Sequence, residues 1–328
     1  MAVEVLCAGS FMVDIVAPHL PMITPPGGLI YAPQGITINV GGHSANVSID
    51  LAQLGQKHVT AAGCIGEDML GRYIRETLRN AGVDPRPQIL IDIPTAKNIA
   101  LTVEGEDRRF IAELAANTLL SPDHVITLLK ERPRILFIGT IGGLKNIDGA
   151  LPRILSAAHD AGAMTIVDVI QPTEPDWFHL TRALSQIDIL HMNSIEAQLA
   201  SGVDKPIHAA EELRRQGANT IIVTSASEGL IALIGETKIT MPAFDVEEVD
   251  STGAGDALCA GLIHGLNHLK DPARATSSEF KHALLEGQAA GAACVTSPGA
   301  TTAVSVENVR RLISKQGDRI LNESTSSP

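Results

Sequence analysis

Asp250-Ser251-Thr252-Gly253-Ala254-Gly255-Asp256 runs directly into Ala257-Leu258-Cys259-Ala260-Gly261-Leu262-Ile263, a glycine-rich turn opening an apolar helix. Such a turn directs several backbone N–H groups into one concavity at a helix N-terminus, where unpaired donors and the helix dipole favour an anion. Gly253 and Gly255 permit close backbone approach. Asp256 then stands beside the anion, where a carboxylate either caps the helix or takes the proton of an attacking alcohol. The chain has no GxxxxGK[ST] segment, and Gly253–Gly255 lacks the third glycine of a GxGxxG turn. A Walker-type NTPase, a dinucleotide site and a nicotinamide dehydrogenase are therefore disfavoured.

Upstream of this turn, short apolar runs alternate with helical patterns. Val3–Gly9, Val59–Ile65, Ile135–Gly139, Met164–Val169, Ile187–Met192 and Thr220–Thr224 read as strands. Runs that are apolar on both faces suit a buried parallel sheet, and the segments at about 44–55, 68–81, 148–161 and 207–217 are long enough for crossover helices. The pattern predicts a doubly wound α/β core. Two stretches break the rhythm: residues 11–40, rich in Pro and Gly, and residues 89–114, which alternate around the turn Glu104–Asp107. Both fit either a small β-structure projecting from the sheet edge as a lid, or ordinary surface loops with a hairpin. The serine-rich end, residues 319–328, reads as a frayed tail after a single unit spanning 1–318.

A second glycine pair, Gly41-Gly42-His43-Ser44-Ala45-Asn46, precedes the apolar helix Val47–Leu54. Its backbone N–H groups and the Asn46 amide, which both donates and accepts, suit a polyol. Asp14 lies just beyond the first strand, at the end where open α/β sheets hold ligands, and its carboxylate accepts hydroxyl donors. Glu196 follows another strand and suits Mg2+, which keeps much of its hydration shell.

Composition narrows the partners. A net charge of −12 lacks the basic footprint that nucleic-acid binding needs. Cys7, Cys64, Cys259 and Cys294 are far apart in apolar stretches, with no CxxC spacing, and read as buried thiols. The N-terminus MAVEVLCAGS has no basic n-region, and no run of 18 apolar residues exists to span a bilayer, which points to a cytoplasmic protein. His264 and His268 share an i,i+4 spacing without a third ligand, so zinc is set aside. With 3% aromatics, base-stacking candidates reduce to Phe11, Tyr31 and Phe110, and Trp177 reads as a core or loop anchor.

Over about residues 3–310 the chain resembles the PfkB, or ribokinase-like, carbohydrate kinase family. Gly41–Asn46 with Leu51-Ala52-Gln53-Leu54-Gly55 matches the first signature, and Ser251–Gly261 the second. Between them, Asn193-Ser194-Ile195-Glu196 is similar to the N-x-x-E motif and Val223–Gly229 to the T-x-G-x-x-G nucleotide segment. The resemblance implies a three-layer α/β/α sandwich of nine-stranded type, with a mostly parallel central sheet and a β-lid from about 11–40 and 89–114. It implies ATP and Mg2+, and in-line transfer of the γ-phosphoryl group to a hydroxyl of a small sugar or polyol. Asp256 becomes the base, with Gly253, Ala254 and Gly255 as the anion hole. Asp14, Gly41, Gly42 and Asn46 hold the substrate. Asn193 and Glu196 position phosphates and hydrated Mg2+, while Thr224, Gly229 and Gln288 line the nucleotide. Many members also bind a monovalent cation such as K+ through backbone carbonyls, which here implicates Asp250, Thr252, Ser297 and Gly299.

Two departures stand out: Ala226 where the family usually has Gly, and His43 where ribokinases tend to carry Lys. The region 94–118, with Lys97, Asn98, Arg108, Arg109 and Asn117, varies across the family, so substrate identity stays open. A nucleoside kinase of the same fold and a noncatalytic sugar- or nucleotide-binding regulator are the alternatives. Exposed lid strands suggest a homodimer.

Overall fold

The computed structural model describes residues 3–106, 109–172 and 176–327, with the side chain of Phe110 left out; Asp107 and Arg108 lie outside the described residues. In chain order the first half contains β1 (Val5–Ala8), β2 (Met12–Leu20), β3 (Thr37–Gly41), α1 (His43–Gln53), β4 (Val59–Ala62), β5 (Cys64–Gly66), α2 (Met69–Asn80), β6 (Asp84–Pro85), β7 (Gln88–Leu90), β8 (Lys97–Val103), β9 (Arg109–Glu113), α3 (Pro122–Leu129), β10 (Ile135–Ile141) and α4 (Lys145–Ala161). The second half continues with β11 (Met164–Val169), α5 (Phe178–Ala183), β12 (Ile189–Asn193), α6 (Ser194–Ser201), α7 (Pro206–Arg215), β13 (Thr220–Thr224), β14 (Leu230–Ile234), β15 (Thr237–Met241), α8 (Ala254–Asn267), α9 (Ser277–Cys294), α10 (Val306–Glu323) and β16 (Thr325–Ser327).

Ten strands form the central sheet in the order β16-β15-β14-β13-β12-β11-β10-β1-β4-β6. From β13 to β6 all neighbours are parallel, and β13 to β16 pair antiparallel. Strands β1, β10 and β11 bury every residue, because helices cover both faces of the sheet. The period-2 alternation divides those residues between two cores. Val5, Cys7, Ile135 and Phe137 pack toward α1, α8, α9 and α10, whereas Leu6, Ala8, Leu136 and Ile138 pack toward α3, α4 and α7. The result is the α/β/α sandwich read from the sequence.

Strand order reverses at β1, which has β4 on one side and β10, entered only later in the chain, on the other. A reversal of this kind opens a crevice at the carboxyl ends of the strands. Here it is lined by Ser10 and Thr140, whose hydroxyls lie 2.6 Å apart. The β10–β11 register slips between Ile138 and Ile141, and Thr140 adopts φ 66, an outlier for a β-branched residue.

Two expectations are corrected. The run Val59–Ile65 is not one strand: it ends at Ala62, and Cys64–Gly66 pairs instead with β7 in a separate two-stranded sheet. The fully buried Phe11 ring occupies the space beside Gly63, where a Cβ would come within 2.5 Å of it. The expected frayed tail is regular structure as far as it is described: residues up to 323 complete α10, and Thr325–Ser327 pair with Lys238–Thr240. A serine-rich segment can still close an open edge, because the ladder uses backbone groups rather than side chains.

A four-stranded sheet, in the order β3-β2-β8-β9, combines residues 12–20, 37–41, 97–103 and 109–113. Its register sets Asp14 beside both Asn39 and Asn98. No helix among the described residues is long and apolar enough to cross a membrane.

Candidate active site

The glycine-rich turn ends on Gly253, the N-cap of α8, at φ 82; a Cβ there would come 2.6 Å from Ala300, so both conformation and space call for glycine. Ala254 N–H bonds back to the Ser251 carbonyl at 3.3 Å. Gly255, one residue into the helix, has no acceptor for its N–H within that helix. Asp256 follows, 7% exposed. Its Oδ2 accepts a 2.8 Å hydrogen bond from Asn46 Nδ2, which ties the first glycine segment to the second across 210 residues. Its Oδ1 is buried and makes no hydrogen bond.

The turn that delivers Asn46 depends on Gly42, the N-cap of α1, at φ 94, where a Cβ would meet the Ser10 carbonyl at 2.5 Å. His43 opens that helix and completes an ionic cluster. Its Nδ1 lies 3.1 Å from Asp168 Oδ2 and 3.7 Å from Asp256 Oδ1. Asp168 Oδ1 meets His191 Nδ1 at 2.9 Å, and His191 Nε2 lies 3.3 Å from the Thr224 hydroxyl.

Burial opposes a charge on His43, but the neighbouring Asp256 and Asp168 carboxylates outweigh it and push its pKa up to about 10. The reverse balance acts on Asp168: burial favours the neutral acid, yet His191 and His43 hold its pKa far below the usual range. Asp256 is raised by burial, an effect reinforced by Asp168 and restrained by His43 and the Asn46 hydrogen bond. An ionisable carboxyl held near a cation, in a crevice, is what a general base needs.

Beside the cluster lies a cavity of about 310 Å³, whose lining includes Thr224, Gly229, Gln288, Ala254 and Gly255. Residues nominated from three separate segments thus meet at one opening. A second cavity, of about 470 Å³ and lined by Gly142, Lys145, Asp148, Trp177 and His179 among others, contains none of the nominated residues.

Residues 3–307 match the model of the pfkB family carbohydrate kinases. The chain belongs to that family. It is an ATP-dependent phosphotransferase with an alcohol group as acceptor. The kinase is 26% identical to the ribokinase of Haemophilus influenzae over 303 residues, 90% of this chain and 93% of the relative. It is 28% identical to the aminoimidazole riboside kinase of Salmonella typhimurium over 277 residues, covering 80% and 84% respectively. Among solved structures, a putative ribokinase II of E. coli in complex with ATP and Mg2+ superposes with a TM-score of 0.78 at 22% identity, over 95% of this chain and 99% of that one.

In this kinase Asn193 and Glu196 form a capping box at the start of α6: Asn193 Oδ1 accepts from Glu196 N–H, and Glu196 Oε2 from Asn193 N–H, both at 2.9 Å. Burial raises the Glu196 pKa, the Asn193 hydrogen bond opposes this, and the charges of Asp168, His191 and His43 all reach it. Asp14 Oδ1 accepts from Asn98 Nδ2 at 3.2 Å, and burial raises its pKa against that bond. Asp250 accepts from the N–H groups of Thr252 and Gly299, each at 3.0 Å, which joins two of the segments nominated for a monovalent cation. The Thr252 carbonyl also accepts from the Cys294 thiol at 3.4 Å. Gln288 Nε2 donates to the Met241 carbonyl at 3.2 Å.

Sequence reasoning passed over Asp168, His191, Ser10 and Thr140, and treated His43 only as a departure. The available signal was an ionisable residue inside a mostly apolar strand, Asp168 near the carboxyl end of Met164–Val169 and His191 in the middle of Ile189–Asn193. Of the aromatic candidates, Phe11 is fully buried beneath Gly63 and offers no stacking face, and Tyr31 is 81% exposed. The Phe110 side chain lies outside the described residues. All four cysteines are buried free thiols.

Proposed function

We propose that this kinase phosphorylates a hydroxyl of a small sugar or sugar-like polyol, with Asp256 as the base. The observation that carries the proposal is the Asn46–Asp256 hydrogen bond, which leaves Asp256 Oδ1 buried and without a hydrogen bond at the start of α8. A hydroxyl placed there gives its proton to Oδ1, its oxygen bonds to the γ-phosphorus, and the bond to the β-phosphate oxygen breaks. Charge gathering on the transferring group faces the N–H groups of the Gly253–Gly255 turn and the helix N-terminus. Asp14, Gly41, Gly42 and Asn46 hold the acceptor, and Thr224, Gly229 and Gln288 hold the nucleotide in the smaller cavity.

Glu196 has one oxygen bound to Asn193 N–H, which leaves a single carboxylate oxygen, a donor set that fits Mg2+ held through its own waters. When bound, that ion neutralises charge on the phosphate oxygens. Asp250, Thr252, Ser297 and Gly299 form the monovalent-cation site. The four-stranded sheet serves as a lid and, through the exposed Ile38, Ile99 and Ile111, as a dimer surface in the cell interior. Sugar is favoured over nucleoside because Phe11 is withdrawn into the core.

The test is ADP release with ATP and Mg2+ across ribose, fructose, 2-keto-3-deoxygluconate, myo-inositol and common nucleosides. Turnover on one sugar alone supports the reading. Selective turnover of a nucleoside replaces it with the riboside alternative.

A further inference from the structure

Asp50 lies one turn after Asn46 on α1, fully buried, and among the described residues neither of its oxygens accepts a hydrogen bond. No cation among those residues reaches it. The inward-facing ionisable groups on the elements around α1 are Asp256 and Cys259 on α8, Cys294 on α9 and Cys7 on β1, and burial keeps all three thiols neutral. Helix α2 adds only Ile74 and Leu78 to that core. A carboxylate in this place would be an uncompensated charge, far more costly than one taking up a proton. Burial and the neighbouring Asp256 accordingly push the Asp50 pKa well up. A neutral carboxyl carries an O–H, and a buried O–H needs an acceptor.

Helix geometry supplies one. Residues four apart lie one above the other, and each side chain leans toward the helix N-terminus, so that of Asp50 is directed back over Asn46. Asn46 is buried as well. Its Nδ2 donates to Asp256 Oδ2 at 2.8 Å, while its Oδ1 accepts nothing. A proton on Asp50 thus removes a buried charge and gives the Asn46 oxygen its missing donor.

We infer that Asp50 is a neutral positioning residue whose O–H donates to Asn46 Oδ1 and so locks the Asn46 amide with its nitrogen toward Asp256. An amide turned the other way would set its oxygen against the Asp256 carboxylate, two acceptors face to face. The consequence for turnover rests on the proposed role of Asp256; the proton on Asp50 does not.

The experiment compares the full wild-type chain with Asp50→Asn and Asp50→Ala, each checked for folding by far-UV circular dichroism. Asn keeps a donor at this position but has no acid to titrate. At about pH 8, roughly four units above the ordinary Asp pKa, the infrared difference between wild type and Asp50→Asn should contain the C=O stretch of one neutral carboxyl. Asp50→Ala should lower kcat by about 3- to 10-fold, the worth of one hydrogen bond. It should also move the acid limb of kcat/KM to higher pH, because the Asn46 bond is among the interactions that restrain the Asp256 pKa. Asp50→Asn should restore both. A missing infrared band overturns the inference, as does a folded Asp50→Ala with the wild-type acid limb, or an Asp50→Asn as impaired as Asp50→Ala. Asp256→Asn separates the two readings: full activity there would sink the base while the band remained, and lost activity with no band would sink the role of Asp50 and leave the base.

Discussion

Strands β10 and β11 bury every residue, whereas β2 and β8 bury only Val13, Ala17 and Leu20 on one and Ala100 and Val103 on the other. The first pair sits in the middle of a sheet covered on both faces; the second belongs to a small sheet covered on one. The crevice draws chemistry from both, yet unequally. Asp168 and Thr140 come from the rigid pair, while Asp14 and Asn98 come from the half-exposed one. Groups that hold a charge in place stand on buried strands, whereas Asp14, proposed to meet the acceptor, stands on a strand with a half-exposed face, where motion costs less.

Four measurements would break or sharpen this division. Asp256→Asn, on the rigid side, should reduce kcat by about 10²–10⁴-fold with little change in Tm, and comparable turnover in the variant would remove the base. Asp14→Ala, on the half-exposed side, should raise KM for the acceptor roughly 10- to 100-fold while the KM for ATP stays put. A parallel fall in kcat alone would show that the small sheet is as catalytic as the large one.

His43→Gln tests the electrostatics between them. Asp256 must be ionised to act, and His43 restrains the upward shift of its pKa. Loss of that cation should therefore move the acid limb of kcat/KM to higher pH; a shift toward lower pH contradicts the charge assignment. The smallest effect concerns Ala226, held at φ 46 where the family usually has glycine. Ala226→Gly should relieve left-handed strain and stabilise the fold by about 0.5–1 kcal/mol, read as a small rise in Tm.

The same contrast explains what the sequence made legible. Strands such as Ile135–Ile141 are apolar on both faces and announce a buried parallel sheet, and Asp256 and Asn46 announce themselves through glycine turns that leave little conformational choice. Asp168 and His191 did not, because a lone acid or imidazole in an apolar strand reads equally as a tolerated core polar group until its partner 23 residues away is known. The break at Gly63 depended on a ring from Phe11, far away in sequence, and the strand Thr325–Ser327 on an edge that only the finished sheet presents.

The capping box at α6 separates persistence from purpose. Asn193 and Glu196 satisfy each other's backbone at a helix start, so replacing either by Ala would weaken the fold by about 1 kcal/mol whether or not a nucleotide ever arrives. A descendant of this chain that abandoned phosphoryl transfer would still have reason to keep both. Asp256 has no such protection: its buried Oδ1 accepts no hydrogen bond, a cost to folding that the proposed turnover would offset. Among homologous chains, the first position to drift once catalysis is relinquished should be 256, with the Asn-x-x-Glu pair surviving as a relic of the helix.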